Sequence, residues 1–424
     1  ITVIYNTADT YFVSQINKSA SAAVGVVYAV MAIIQAAGFG FGMGAGSIVS
    51  RKLGEKKNAE ADMYSSSAFF ASLTMGAVIG ISGLCFLTPL MYLLGCSETM
   101  LPYARPYAKY VLMSAPLNCA TFVLSNSLRS QGKSALSMWG TMTGGLLNIV
   151  LDPIFIFTFS LGTGGAAIAT ALSQTVSFLI LLSYYLRGKT IIHISFRRIS
   201  RSPKVYGLIL ATGLPTICRQ ALGSVAAAAV NVQAVVYGDA AVAAITIANK
   251  VYVLVRNVVI GIGQGFQPAA GYNYGAGNKK RTKEAFEFAC KLGTVVCLLC
   301  AVVIGIFAEA IMWWFCDDAE VAQIGRVALR YGCAVMPLLA FSTYVNQLYQ
   351  CLGFKVPATV LASCRQGIFF LPAVYFLPKL LEVKGVQLAQ PAADLLTFLV
   401  SCPFLIAFYR NVLSEKAPES KQLH

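Results

Sequence analysis

A succession of apolar stretches, each near the length of a bilayer crossing and set off by short polar connections, constrains this chain more than any other feature. A spanning helix needs ~20 mostly apolar residues. In hydrocarbon every backbone N–H and C=O must be satisfied within the segment, which an α-helix does and an open strand does not. We read twelve spans, at 1–16, 20–46, 62–94, 101–128, 135–159, 165–186, 205–237, 241–268, 284–315, 321–350, 357–379 and 386–409. The predicted fold class is therefore an all-α polytopic membrane protein with twelve transmembrane helices. The longest spans are expected to tilt or to protrude from the bilayer. The first is short, and about 17 residues of its helix are expected to precede Ile1. No cleavable leader is expected.

Composition agrees with this reading. Hydrophobic residues make up 57% of the 424 and charged residues 12%, about half the charged share of a soluble domain. The net charge of +15 first suggests a nucleic-acid partner, but the basic residues fall in short clusters between apolar runs. One set of connections holds Arg51, Lys52, Lys56 and Lys57, then Arg129 and Lys133, then the six basic residues between Arg187 and Lys204. It continues with Lys279 to Lys283, Lys355, and the tail with Arg410, Lys416 and Lys421. These are every second connection. The alternate set is poor in Lys and Arg and carries Glu98, Asp239, Asp317, Asp318, Glu320 and Glu382. By the positive-inside rule the first set faces the cytoplasm, with both termini there, and no nucleic acid is bound. The expected location is the cytoplasmic (inner) membrane.

The halves repeat at an offset of 221 residues: Gly40, Gly42, Gly44 and Gly54 recur as Gly261, Gly263, Gly265 and Gly275, and Pro116 and Gly132 as Pro337 and Gly353. Near the end the offset slips to 220, pairing Gly165 with Gly385. The domains read as 1–186, a bundle of six helices; 187–204, a cytoplasmic linker; and 205–424, a second bundle with a short tail. An even helix count per repeat makes the two parallel, and transporter sites commonly lie between such halves near the midplane. The glycines of GFGFGMGAG follow a helix and precede no G-K-[ST], so they read as helix packing and not as a nucleotide loop. The 12 cysteines lie mostly inside apolar runs and read as small packing residues. The C-x-x-C of Cys297 and Cys300 has no partner pair at metal spacing. No cofactor is expected.

Acidic residues at membrane depth are costly and are functional candidates by default. Asp9 lies in the first span and Asp152 in the fifth. Asn148 precedes Asp152 by four residues and Tyr5 precedes Asp9 by four, so each pair shares a helix face. Pro153 frees a backbone carbonyl nearby. Thr170, in the sixth span, offers a hydroxyl. The repeat counterparts of Asp9 and Asp152 lie near Val230 and Leu371, and Thr170 maps to Gln390; the scaffold is duplicated and the carboxylates are not. Arg219, Lys250, Arg256, Arg365 and Asp394 are the intramembrane charges of the second half, where Asp394 has arginines with which to pair.

At this point the sequence resembles the multidrug and toxic compound extrusion (MATE) family, prokaryotic branch. The likeness is carried by DTYFV in the first span, the glycine-rich run into SRKLGEKK, LRSQGK after the fourth span, and N-x-x-x-D-P in the fifth. GGAAIATALSQ and the second-half echo QPAAGYNYGAGNKKR complete it. The resemblance implies two six-helix bundles around a central cleft and export of amphiphilic organic, often cationic, compounds in exchange for H⁺ or Na⁺. It places a cation site on Asp9, Asn148, Asp152 and Thr170, with Tyr5 nearby. The stretch PTICRQALG lacks the carboxylate of some branches and offers Arg219 and Gln220. Arg256, Gln220 and Arg365 are the candidate cleft residues, Na⁺ is the one metal ion considered, and a monomer is expected. A coupled carboxylate pair discharged by the ion would let the first helix repack and weaken substrate binding. The alternatives are a lipid-linked precursor flippase, which wants a large cationic cleft, and a membrane-embedded enzyme, which wants an interfacial polar cluster that the sequence does not show.

Overall fold

A computed structural model of the chain describes residues 9, 11–13 and 15–411. The described residues are helical but for short turns and the segment between Arg187 and Ser202. Eleven helices among them are long and apolar enough to cross a bilayer, five before residue 187 and six after residue 202. Most of the predicted first span, Tyr5 included, lies outside the described residues. Large side chains such as Ile81, Leu93, Leu186, Val302, Ile306 and Leu380 are exposed, as lipid-facing surfaces require.

The helices of the first half are α1 (Lys18–Gly54), α2 (Asn58–Cys85), α3 (Leu87–Leu93), α4 (Leu101–Ser130), α5 (Ser134–Pro153) and α6 (Gly162–Leu186). Those of the second are α7 (Pro203–Val235), α8 (Asp239–Gly275), α9 (Lys279–Ile306), α10 (Ala308–Phe315), α11 (Ala319–Leu352), α12 (Lys355–Ser363), α13 (Phe370–Leu381) and α14 (Val383–Asn411). Three predicted spans are interrupted. Pro89 lacks the N–H that would bond the Cys85 carbonyl, so α2 and α3 separate at Phe86. α9 and α10 part at Phe307. A π-helical segment, Cys364–Phe369, joins α12 to α13, and another, Ile154–Thr158, continues α5 beyond Pro153.

Two compact units divide at Ile217 and Cys218. In the first, α4 is the buried centre and packs against α1, α2, α5 and α6. In the second, α11 holds the same place against α8, α9, α10, α12 and α14. Both carry an interior proline, Pro116 and Pro337, and both are followed by a left-handed glycine, Gly132 at φ 76° and Gly353 at φ 89°. That conformation admits glycine without the Cβ penalty and explains why these two recur in the repeat. The glycine-rich run lies in the interior of α1. A Cβ on Gly42 would stand 2.7 Å from the Phe122 carbonyl oxygen of α4, and one on Gly44 would strike the Ile209 carbonyl of α7. Small residues here let backbones approach.

The segment 187–204 is strapped to the first unit. Asp62, buried on α2, accepts from the His193 backbone N–H at 2.8 Å and pairs with Arg198. Ser66 accepts from Ser195 N at 3.1 Å and Ser67 from Ser200 N at 2.9 Å. Gln131 Oε1, past the end of α4, takes the N–H groups of Ile191 and Ile192 at 2.8 and 3.2 Å. A connection whose own regular structure is a single 3-10 turn, Phe196–Arg198, thereby satisfies much of its backbone on buried side chains. The strap continues into the first turns of α7, whose Ile209 sits in the first unit's core, so the compact unit runs on to Ile217.

Candidate functional site

The buried face of α5 is Ser137, Gly140, Gly144, Gly145, Asn148 and Asp152, a helical stripe of small and polar residues. Gly144 leaves no room for a Cβ against Ser177 of α6, and that close approach sets the next contact down the stripe. Asn148 Nδ2 donates to Asp152 Oδ1 at 3.0 Å and to Thr170 Oγ1 at 3.2 Å. Asp9 accepts from the Tyr107 hydroxyl of α4 at 2.6 Å and also from Tyr28 of α1. Asp9, Asn148, Asp152 and Thr170 are each at most 3% exposed, and the charges of Asp9 and Asp152 lie within interaction range of each other.

Of the residues expected for the site, Asp9, Asn148, Asp152 and Thr170 fall together. Tyr107 and Tyr28 were not foreseen. A tyrosine is common both in cores and at bilayer interfaces, and nothing in the local sequence marks these two.

The acceptors are not all used. Among the described residues, Asp9 Oδ1, Asn148 Oδ1 and Asp152 Oδ2 are buried without a hydrogen-bond partner. Three oxygens, two of them carboxylate, with no donor to share are a fit for a small cation. The His, Cys, Asp and Glu residues described form no group of three or more that would hold a metal ion, so a transition-metal centre is not what this arrangement suits.

The second unit carries a site of opposite charge. Arg365, on the π-helical segment, bonds Asp394 of α14 at 2.6 Å and lies over the ring of Tyr252 with its centre 5.8 Å away. Tyr252 donates to the other Asp394 oxygen. Gln390, one turn before Asp394, donates to it at 3.0 Å. Arg256 of α8 and Arg219 of α7 stand within electrostatic range of Arg365. Arg256 and Arg365, expected as cleft residues, are thus brought together. Gln220 is half-buried beside Arg219, and its side chain makes no hydrogen bond among the described residues. The pairing of Asp394 with an arginine holds. At the 220 offset Gln390 and Asp394 stand where Thr170 and Gln174 stand in the first half, so the repeat keeps the polar positions and changes their charge.

Eleven described spans, an internal repeat and carboxylates enclosed at membrane depth define a polytopic membrane transporter. The chain belongs to the MatE family, the multidrug and toxic compound extrusion transporters, whose model matches residues 1–154 and 206–376. It is 26% identical over 409 residues to a multidrug export protein MepA of Staphylococcus haemolyticus, covering 96% of this chain and 89% of that one. The Staphylococcus aureus (strain N315) protein of the same name is 25% identical over 387 residues, 91% of this chain and 85% of the relative. A solved MATE multidrug resistance transporter in an outward-facing conformation superposes with a TM-score of 0.91 at 27% identity, covering 96% of this chain and 92% of that one. A MOP superfamily transporter from Pyrococcus furiosus, described as having a binding pocket of reverse polarity, superposes at 0.89 with 27% identity and the same coverage. These relatives are named transporters and not enzymes.

Proposed function

We propose that the protein is a secondary antiporter, exporting amphiphilic organic compounds in exchange for H⁺ or Na⁺, with the coupling site at Asp9, Asp152, Asn148 and Thr170. The observation that carries this is the trio of buried, unpartnered oxygens on Asp9, Asn148 and Asp152. Two carboxylates close together in a medium of low polarity strongly disfavour joint ionisation. A proton or a sodium ion relieves that repulsion, and its departure restores it. The site therefore has two electrostatic states, and a helix touching it has a reason to repack between them. Asp9 is held by α1 and α4 through Tyr28 and Tyr107, while Asp152 is held by α5 and α6. Discharge of the pair loosens one set of helices from the other.

Asn148 distinguishes the ions chemically. Its amide oxygen does not take up a proton at neutral pH but readily ligates a hard cation. Each charge moved down 100 mV supplies about 2.3 kcal/mol, a concentration ratio of about 50. One exchanged ion thus suffices for useful export.

The further parts of the reading follow from charge and repeat. The bundles 1–186 and 205–424 act as the moving halves, joined by 187–204. The Arg- and Lys-rich connections and both termini face the cytoplasm of the inner membrane, and the working unit is a monomer. The deciding experiment is drug efflux from proteoliposomes with proton and sodium gradients imposed separately. Export under neither gradient overturns the antiporter; export under one names the ion.

A further inference from the structure

The charges of the second unit do not balance. Asp394 is fully engaged: Oδ1 receives Arg365 Nε and Gln390, and Oδ2 receives Tyr252. It neutralises one guanidinium. Two remain. Arg219 reaches the Asn346 side-chain oxygen at 3.5 Å, a long contact with a neutral group. Arg256 makes no hydrogen bond among the described residues, and its Nε is buried without a partner. Both feel Arg365, and Arg256 feels Arg219 as well. Three like charges linked through Arg365, with one carboxylate among them, repel each other at membrane depth, and such an arrangement persists where it serves a ligand. Each of the three arginines is half-buried as a residue. Tyr252 and Gln390, which hold Asp394, also line a cavity, with Asn249 and Gln387 as its other polar residues and an apolar wall that includes Ile304, Met336 and Phe370. A polar anchor beside an apolar wall is the shape of an amphiphile site.

We infer that Arg219, Arg256 and Arg365 form a binding site for the oxyanion head group — carboxylate, sulfonate or phosphate — of an amphiphile, with its apolar part against the adjoining cavity wall. This rests on the transporter reading above and names a substrate class for its second half. Guanidinium groups suit such ligands because they bond oxyanions in a planar, two-pronged manner. Asp394 is the internal competitor: it occupies Arg365 until an external oxyanion offers Arg365 and the two uncompensated arginines a shared partner.

The test is equilibrium binding of carboxyfluorescein, read by anisotropy, to the full-length protein in phosphatidylcholine nanodiscs, with empty discs as the blank. Arg256→Gln is expected to weaken binding about tenfold, the worth of one charge-assisted hydrogen bond. Asp394→Asn is expected to tighten it several-fold, since it removes the competing carboxylate while keeping the shape that Arg365, Gln390 and Tyr252 hold. The two variants must move in opposite directions; a structural role for the cluster would make both weaken binding by lowering stability. A second arm repeats the titration in discs containing phosphatidylglycerol. Competition by that lipid, lost in Arg256→Gln, supports the site and names a lipid head group as its occupant. Absence of competition supports the site with a soluble amphiphile as occupant. Dye binding that is undetectable, or that neither variant changes, or that both variants change in the same sense, overturns the inference. No gradient is imposed, so failure of antiport leaves this readout standing, and failure of dye binding leaves the efflux test standing.

Discussion

Replacement of Asp152 by Asn is the sharpest probe of the coupling site. Asn148 Nδ2 donates to Asp152 Oδ1 at 3.0 Å, and an amide oxygen in that place accepts the same bond. The change is isosteric and the residue is wholly buried, so the helix face survives. What disappears is one negative charge, together with the unpartnered Oδ2, which becomes a donor. Asp9 is left as the sole carboxylate of the site. A lone carboxylate has no neighbour to repel, so ion binding no longer switches the packing. With one net charge moved per cycle at 100 mV, the native protein holds a substrate ratio of about 50, equivalent to 2.3 kcal/mol. The variant is expected to let that ratio fall to about 1, while substrate affinity measured without a gradient stays within about threefold, the scale of a site not contacting the substrate. The assay is accumulation in proteoliposomes under a clamped gradient, with equilibrium binding on the same preparation. A variant that sustains a ratio above about 10, worth about 1.4 kcal/mol, refutes the assignment of Asp152 to coupling.

Other perturbations test separate links. Tyr107→Phe removes the hydroxyl that donates to Asp9 at 2.6 Å; a hydrogen bond to a charged group is worth about 1.5–3 kcal/mol, and coupled efflux is expected to fall by about tenfold or more with expression retained. Asp62→Ala leaves the His193 N–H and Arg198 without their acceptor, and is expected to cost about 1–3 kcal/mol, seen as a lower Tm and faster tryptic cleavage at Arg197 or Arg198. Single cysteines placed between Arg51 and Lys57, or between Lys279 and Lys283, on a cysteine-free background are expected to be labelled from the cytoplasmic side alone; labelling from outside reverses the orientation.

Asn148 and Asp152 were legible together because a helix brings residues four apart onto one face, a local rule that needs no tertiary knowledge. Thr170 was reachable through its place in the neighbouring span. Tyr107 and Tyr28 were not, since a bond from Tyr107 to Asp9 joins residues 98 apart in sequence and interhelical contacts leave no periodic trace. The charges of Arg256, Arg365 and Asp394 announced themselves by being in apolar runs, and an arginine partner for Asp394 with them, but which arginine it is did not. That Asp394 is saturated by Arg365, Gln390 and Tyr252, leaving Arg256 aside, is a fact of three-dimensional packing. The spans were visible from apolar length alone. Their interruptions were less so: Pro89 in principle marked the break after Cys85, but prolines also sit inside unbroken helices here, as Pro116 and Pro337 do.

The strap between Arg187 and Lys204 bears on how the protein is made. A chain emerging from the ribosome at about 5–20 residues per second delivers Asp62, Ser66 and Gln131 early, with their capacity for bonding the strap unfilled. The partners, at Ile191 to Ser200, arrive as soon as α6 is complete and before any of α7. The first bundle therefore carries its own closing clasp, fastened with backbone amides, and requires nothing from the second half to cover those buried polar groups. Biogenesis can proceed in two instalments, the earlier one finished and held shut while the later one is still being inserted.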